Sequence, residues 1–213
     1  MWYSILAVVV VGYLLGNLNG AVCISALMHD DVRSHGSGNA GLTNFVRNYG
    51  ASRAIYVFLI DAGKAALACV FGGLLLKQHL SFQEGAAIGG LAVMVGHVFP
   101  ALLGFKGGKG ILSGLFVALV TDWRVALIIA VVFAVAYFTT RYVSLGSVLA
   151  AVAFGIGFAV LHYQEPVTMI CGVVMGIMAV YMHRSNIVRL IKGEERKTDL
   201  IGALLKKKKT EKN

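Results

Sequence analysis

Long apolar stretches separated by short polar segments make up most of the 213-residue chain. A helix needs about 20 mostly apolar residues to cross a bilayer. The pattern therefore predicts an all-α, polytopic membrane protein with seven transmembrane helices, or five as the alternative. The candidate spans are Trp2 to Met28, Ala54 to Leu76, Gly85 to Leu103, Ile111 to Val120, Val125 to Thr140, Leu145 to Leu161 and Val167 to Tyr181.

The fourth candidate span is short. Gly110 to Thr121 would cover only about 18 Å at ~1.5 Å per residue, whereas the hydrocarbon core is about 30 Å thick. This helix must therefore thin the bilayer, rest on other helices or be re-entrant. The first span has no Lys or Arg before Arg33 and so lacks the basic start of a signal peptide, which predicts that it is a genuine span.

Composition agrees with a membrane protein, since 58% of the residues are hydrophobic and the mean hydropathy is +0.77. Cys23, Cys69 and Cys171 all lie in apolar runs, which indicates neither a disulfide framework nor a metal cluster. No internal repeat is visible, and we expect residues 1–213 to form one membrane-embedded domain with a polybasic tail at 196–213.

Positive charges predict the orientation. The net charge is +9, and with seven spans and the N-terminus outside, sixteen of the nineteen Lys and Arg residues fall on the inner side. The C-terminus is then cytoplasmic. The run Lys206 to Lys209 is expected to attract anionic lipid headgroups rather than nucleic acid.

Four polar segments fall on this predicted cytoplasmic side and are richer in Gly, Ser, Asn, His, Lys and Arg than the outer connections. A functional surface on the inner face is therefore expected. The segments are Ser34 to Asn48, Gly96 to Gly110, Arg141 to Ser147 and His183 to Lys197.

The first segment has the composition of an anion site, because glycines let backbone N–H groups turn toward one point beside polar side chains. Thr43 and Asn44 are expected to cap a following helix that carries Arg47. The alternative is a tight, solvated loop. The loop residues concerned are Gly36, Ser37, Gly38, Asn39 and Gly41.

The second segment contains "GFKGGKG", in which Lys106 and Lys109 flank Gly107 and Gly108. The glycines would let the backbone approach a ligand while two ammonium groups neutralise it. This is not a Walker A loop, since neither Ser nor Thr follows Lys109. The lysines could instead only set topology, and His97 nearby could be a structural donor rather than a catalytic group.

The last two segments add further candidates. His183, Asn186 and Arg189 recur at helical spacing, although Arg189 could simply reach the headgroups. Ser144 is either a helix cap or a ligand contact, and Glu195 could orient a nearby cation. Inside the second span, Asp61 and Lys64 lie three residues apart, and an ion pair is the expected role, with direct catalysis as the alternative.

These motifs resemble one family, the bacterial acyl-phosphate-dependent glycerol-3-phosphate acyltransferases of the PlsY type. "GSGNAGLTN" with its following Arg, "GHVFPALLGFKGGKG", "RYVSLGS" and "HRSNIVRLIKGEE" carry the resemblance, which covers nearly the whole chain. The chain differs in having Ala40 and Leu42 where the family has Pro and Ala, and Glu194 where it has Thr.

The resemblance implies transfer of a fatty acyl group from acyl phosphate to the sn-1 hydroxyl of glycerol 3-phosphate, giving lysophosphatidate and phosphate, at the inner face of a bacterial cytoplasmic membrane. It also implies seven helices with the N-terminus outside. No metal or cofactor is expected, because acyl phosphate is already activated. The predicted catalytic residues are Ser37, Asn39, Arg47, His97, Lys106, Lys109, His183 and Asn186. The predicted substrate-binding residues are Gly36, Gly38, Gly41, Thr43, Asn44, Gly107, Gly108, Ser144 and Glu195.

A transporter of a phosphorylated metabolite is the alternative from another class. Transporters tend to show repeated halves and broken helices near the bilayer midplane, whereas this chain shows no repeat and keeps its polar motifs at one face. The residues leave open the acyl-chain preference, the oligomeric state and the group that accepts the hydroxyl proton.

Overall fold

The computed structural model describes residues 1–198 and 202, and within these residues all regular structure is helical. Ten α-helices lie within residues 1–198, namely α1 (Trp2–Asn17), α2 (Gly20–Ala26), α3 (Leu42–Tyr49), α4 (Ala51–Leu76), α5 (Phe82–Val98), α6 (Ile111–Thr121), α7 (Trp123–Thr140), α8 (Val143–Leu161), α9 (Pro166–Met182) and α10 (Arg184–Ile191). Short 3-10 turns occur at Val32–Ser34 and Ala101–Leu103. The predicted Lys206 to Lys209 surface lies outside the described residues.

Four helical segments are long and apolar enough to cross a membrane, namely α4, α5 with the turn that follows it, α7 and α8. The number rises to six if the bent pairs α1–α2 and α9–α10 each form one span. Helix α6 has 11 residues, in agreement with the short fourth span of the sequence analysis. The described part of the chain is thus an all-helical, multi-pass membrane protein, while the count of seven stays a prediction.

The hydrophobic pattern predicted one span for the first apolar run, whereas the structure divides this run into two helices. The chain bends by 43° between α1 and α2. A second helix begins after Asn19, because the Asn19 side-chain oxygen accepts a hydrogen bond from Val22 N at 3.1 Å and caps α2. After the bend, α2 packs against α4.

Helix α5 is the centre of the bundle and is the most buried of the candidate spans. It begins with a capping box between Ser81 and Glu84. It packs against α1, α4, α6 and α9. Small residues permit close backbone approach, as where Gly16 of α1 meets Gly96 of α5. The C-terminal end of α5, which carries His97, is therefore held among several helices.

Candidate active site

A cavity of about 440 Å³ opens where the first, second and fourth polar segments meet the start of α8. Most of the predicted site residues lie in its wall. The predicted residues in the wall are Ser37, Asn39, Gly41, Thr43, Asn44, Arg47, His97, Lys109, Ser144, His183, Asn186 and Glu195. The wall also contains apolar side chains, among them Phe58, Leu112, Leu115, Ile129, Ala130 and Phe133.

Asn44 organises the first loop from within α3. Its Nδ2 donates to the backbone oxygens of Val32, His35 and Asn39 at 3.0–3.1 Å, and its Oδ1 accepts from Ser37 N at 3.0 Å. The prediction that Thr43 and Asn44 cap this helix was wrong. Helix α3 begins at Leu42, and its N-cap residue is Gly41, which provides no side-chain hydrogen bond. Asn44 instead faces back over the loop and fixes its shape.

Gly36 and Gly38 serve the loop by their backbone conformation and do not line the cavity. Their φ angles are +60° and +69°, in the left-handed region that glycine adopts without a steric penalty. These turns allow the neighbouring Ser37 and Asn39 to reach the wall. Asn19 supports the same loop, since its Nδ2 donates to Ala40 O at 2.9 Å.

The two lysines of the second loop have different positions. Lys109 lies in the cavity wall, and its ammonium donates to Asn186 Oδ1. Lys106 is exposed and lies outside the wall, so the structure does not bring it to the site as predicted. The reason is a tight turn after α5, in which Lys106 N donates to Leu103 O at 3.4 Å.

Gly107 and Gly108 also lie outside the wall, although both were predicted to approach a ligand. They fold back onto the end of α5, where Gly108 N donates to His97 O at 3.1 Å. A Cβ atom on Gly107 would collide with His97 O, and one on Gly108 would collide with the His97 ring. The glycines therefore allow the loop to close onto His97 and so place Lys109.

A network between α10 and the residues that flank it also lies in the wall. Glu195 is buried and accepts from Asn186 Nδ2 at 3.3 Å and from Arg189 Nε at 2.8 Å. This agrees with the expectation that Glu195 orients a cation. His183 donates from Nδ1 to Ala179 O at 2.8 Å, so its neutral ring keeps a lone pair on Nε2. That nitrogen can accept a proton.

The rim of the cavity includes the chain after α10. Arg47 donates to Thr198 Oγ1 and, at 3.5 Å, to Arg196 O. Thr198 N in turn donates to Arg141 O at 3.1 Å. The segment 194–198 therefore joins α3 to the end of α7 beside the cavity.

Ser144 presents an unused hydroxyl to the cavity. It is 8% exposed, and its Oγ has no hydrogen-bond partner within the described part of the chain. Ser144 is not the N-cap of α8, since Tyr142 occupies that position and makes no side-chain cap hydrogen bond. A buried hydroxyl normally finds a partner, which favours the ligand-contact interpretation over the cap.

The cavity wall carries more cationic than anionic side chains. Arg47, Lys109 and Arg189 lie in its wall, against the carboxylates of Glu195 and Asp61. Burial and then the charge of Arg189 lower the pKa of Lys109 to about 8. An anion in the cavity would relieve this repulsion. The described residues contain no cluster of three or more His, Cys, Asp or Glu side chains that could hold a metal ion.

Residues 6–193 match the family model described as glycerol-3-phosphate acyltransferase. A protein of that name from Finegoldia magna is 37% identical over 189 residues, which cover 88% of this chain and 93% of the relative. Another from an Anaeromyxobacter species is 38% identical over 193 residues, which cover 90% of this chain and 95% of the relative. The chain belongs to the glycerol-3-phosphate acyltransferase family.

Two solved structures agree in fold. They are crystal structures of PlsY (YgiH), described as an integral membrane glycerol 3-phosphate acyltransferase, in glycerol 3-phosphate and lysophosphatidic acid forms. Their TM-scores are 0.84 and 0.81 at 32% identity, and they cover 94% and 95% of this chain and 98% and 99% of the respective solved chains. The resemblance drawn from the sequence motifs is thereby confirmed, and this family member is an acyltransferase.

Sequence reasoning missed two contributors to the acyltransferase cavity. Arg189 lies in the wall and is held by Glu195. The sequence predicted for Arg189 only a position on a helix face or a contact with lipid headgroups. Asn19 supports the first loop from the break between α1 and α2. A polar residue within an apolar run was the available signal for Asn19, because membrane-embedded amides need partners.

Proposed function

We propose that the protein transfers a fatty acyl group from acyl phosphate to the sn-1 hydroxyl of glycerol 3-phosphate, giving lysophosphatidate and inorganic phosphate. The observation that carries this proposal is a single cavity whose wall contains three cationic side chains, Arg47, Lys109 and Arg189, together with a set of apolar side chains. Two anionic head groups can bind to the cationic side chains, while the acyl chain packs against the apolar ones.

The chemistry needs little beyond positioning and charge. Acyl phosphate is a mixed anhydride with a good leaving group, so neither a protein nucleophile nor a metal is required. The hydroxyl oxygen attacks the acyl carbon, the bond from that carbon to the phosphate oxygen breaks, and phosphate leaves. Holding both reactants together and stabilising the oxyanion supply most of the acceleration in such a site.

Roles follow from location in the wall. Arg47, Lys109 and Arg189 neutralise phosphate charge, and Ser37 with Asn39 contributes hydrogen bonds from the first loop. Asn186 and Ser144 orient glycerol 3-phosphate. His183 accepts the hydroxyl proton at Nε2, because its Nδ1–H is held by Ala179 O.

The reaction is tested with the purified chain, glycerol 3-phosphate and a long-chain acyl donor. Lysophosphatidate should form from acyl phosphate. Activity with acyl-CoA but none with acyl phosphate would refute the donor. Uptake of glycerol 3-phosphate into liposomes without acylated product would favour a transporter.

The membrane arrangement is part of the proposal. Residues 1–213 form one domain with seven spans, α6 included, the N-terminus outside, the cavity facing the cytoplasm of a bacterial inner membrane and the basic tail on anionic lipids. The charge distribution supports this orientation. In a cysteine-free background, a cysteine replacing His79 should react with an impermeant maleimide in intact cells. A cysteine replacing Lys106 should react only after permeabilisation, and the reverse result would overturn the orientation.

A further inference from the structure

Lys64 is a charged side chain buried within α4 and is not part of the cavity wall. Four acceptors surround its Nζ. The distances are 2.8 Å to Asp61 Oδ1, 2.6 Å to Leu18 O, 3.3 Å to Gly16 O and 2.8 Å to His97 Nδ1. The expected ion pair with Asp61 is therefore present, but it is only one part of a larger network.

The network requires Lys64 to be a donor toward His97. The carboxylate and the two carbonyl oxygens can only accept hydrogen bonds, and a charged ammonium offers three donors and no acceptor. A neutral amine would leave the Asp61 carboxylate as an uncompensated buried charge, which is strongly unfavourable. The three ammonium protons are shared among the four acceptors, and His97 Nδ1, at 2.8 Å, must present its lone pair because an N–H there would face a group with no acceptor.

The proton of a neutral His97 ring then lies on the other nitrogen. A neutral imidazole has one donor nitrogen and one acceptor nitrogen, and the bond made by one fixes the state of the other. Nε2 makes no hydrogen bond within the described residues, and it is the ring atom nearest to the Cβ that Gly108 lacks. His97 lines the cavity, and its Nε2 lies beside Gly108 of the second loop.

We infer that Lys64 is a positioning residue whose ammonium holds His97 as the Nε2–H tautomer, so that His97 donates a hydrogen bond to an anionic oxygen in the cavity and does not act as the base. The identification of that oxygen with a phosphate or the reacting carbonyl rests on the proposed function. His183 has the opposite arrangement, with its Nδ1–H bonded to a carbonyl. The two histidines of the cavity thus have complementary roles, one donating and one accepting.

The tautomer can be measured without any activity. The full chain, labelled with ¹⁵N-histidine and held in nanodiscs, contains six histidines. The His97 signals are assigned by their absence in His97→Gln. The inference requires a protonated Nε2 and an unprotonated Nδ1. A proton on Nδ1 of the wild-type ring would overturn it.

Lys64→Met tests the origin of the tautomer. Without the ammonium, the nearest charged group to His97 Nδ1 is the Asp61 carboxylate, at 3.7 Å. The carboxylate should draw a proton onto Nδ1, and the Nδ1 resonance should move from its unprotonated to its protonated position. An unchanged Nδ1 resonance would show that Lys64 does not set the tautomer. If this variant fails to fold, the wild-type spectrum and the kinetic pair below still decide the donor role.

Kinetics separate a donor from a base. In His97→Gln an amide N–H can replace Nε2–H, but the side chain cannot take a proton at pH 7. His97→Met has similar bulk and no donor. We expect His97→Met to lose on the order of 10²-fold in kcat/KM, as for one oxyanion donor, and His97→Gln to be at least about tenfold more active than His97→Met. Equal losses in the two variants would contradict the donor role. An inactive wild type would refute the proposed function and leave the spectroscopic result standing.

Discussion

Lys109→Ala should lower kcat/KM far more than Lys106→Ala does. Both lysines belong to one glycine-rich loop and carry the same formal charge. Only Lys109 lies in the cavity wall, where its ammonium meets Asn186. Lys106 is exposed to the surroundings outside that wall. The pair therefore tests whether location, rather than loop charge, decides function.

The magnitude follows from the electrostatics of the site. Two unit charges about 4 Å apart interact by about 4 kcal/mol at an effective dielectric constant of about 20. Removal of one preorganised oxyanion contact typically costs about 10²–10³-fold. Lys109→Ala should therefore reduce kcat/KM by about 10²–10³-fold, since the half-enclosed site screens its charge poorly. Lys106→Ala should lose less than about tenfold, because an exposed charge is largely screened by salt.

The assay measures phosphate release and lysophosphatidate formation by each purified variant at varied glycerol 3-phosphate. Thermal unfolding of both variants is the control for a general loss of structure. Equal losses in the two variants, or a loss below tenfold for a well-folded Lys109→Ala protein, would refute the assignment of Lys109 as the phosphate contact of this loop.

Three further predictions concern the same cavity. The pKa of Lys109 is lowered to about 8, so kcat/KM, which reports the free enzyme, should fall as pH rises through about 8. Lys109→Arg should move that fall to higher pH. The same fall at the same pH in both proteins would contradict this prediction. Ser144→Ala should raise the KM for glycerol 3-phosphate several-fold, as for one hydrogen bond of about 1 kcal/mol, without lowering the melting temperature, because Ser144 Oγ has no partner in the described chain; a clear loss of thermal stability would argue against the ligand role. Asn44→Ala should destabilise the first loop by about 1–3 kcal/mol, measured by thermal unfolding, since it leaves buried backbone groups such as Ser37 N without a partner; wild-type stability would show that Asn44 does not organise the loop.

Helix positions could be predicted closely from the sequence. The predicted start at Val125 lies two residues inside α7 (Trp123–Thr140), and the predicted Leu145 start lies two residues inside α8 (Val143–Leu161). Hydropathy and helix length are local properties, and a bilayer allows little other than helices for such segments. The break at Asn19 was not predicted, because a single capped turn hardly changes the hydropathy of a long apolar run.

Most of the candidate site could also be predicted, because four connections are richer in Gly, Ser, Asn, His, Lys and Arg than the remaining ones. The errors arose where backbone geometry matters. Gly107 and Gly108 were expected to face a ligand, and they instead accommodate the end of α5. Asn44 was expected to cap a helix, and it instead binds four backbone groups of the preceding loop.

The amino-acid sequence by itself determined the membrane class, the approximate helices, the polar segments and, through its motifs, the acyltransferase family. These depend on composition and short-range order, which any arrangement of the helices would preserve. Only the tertiary structure decided that Lys109 and not Lys106 reaches the cavity, that Arg189 joins it, and that Lys64 contacts His97. Such contacts join residues tens of positions apart, and they depend on how closely the helices pack and where each loop turns back on them.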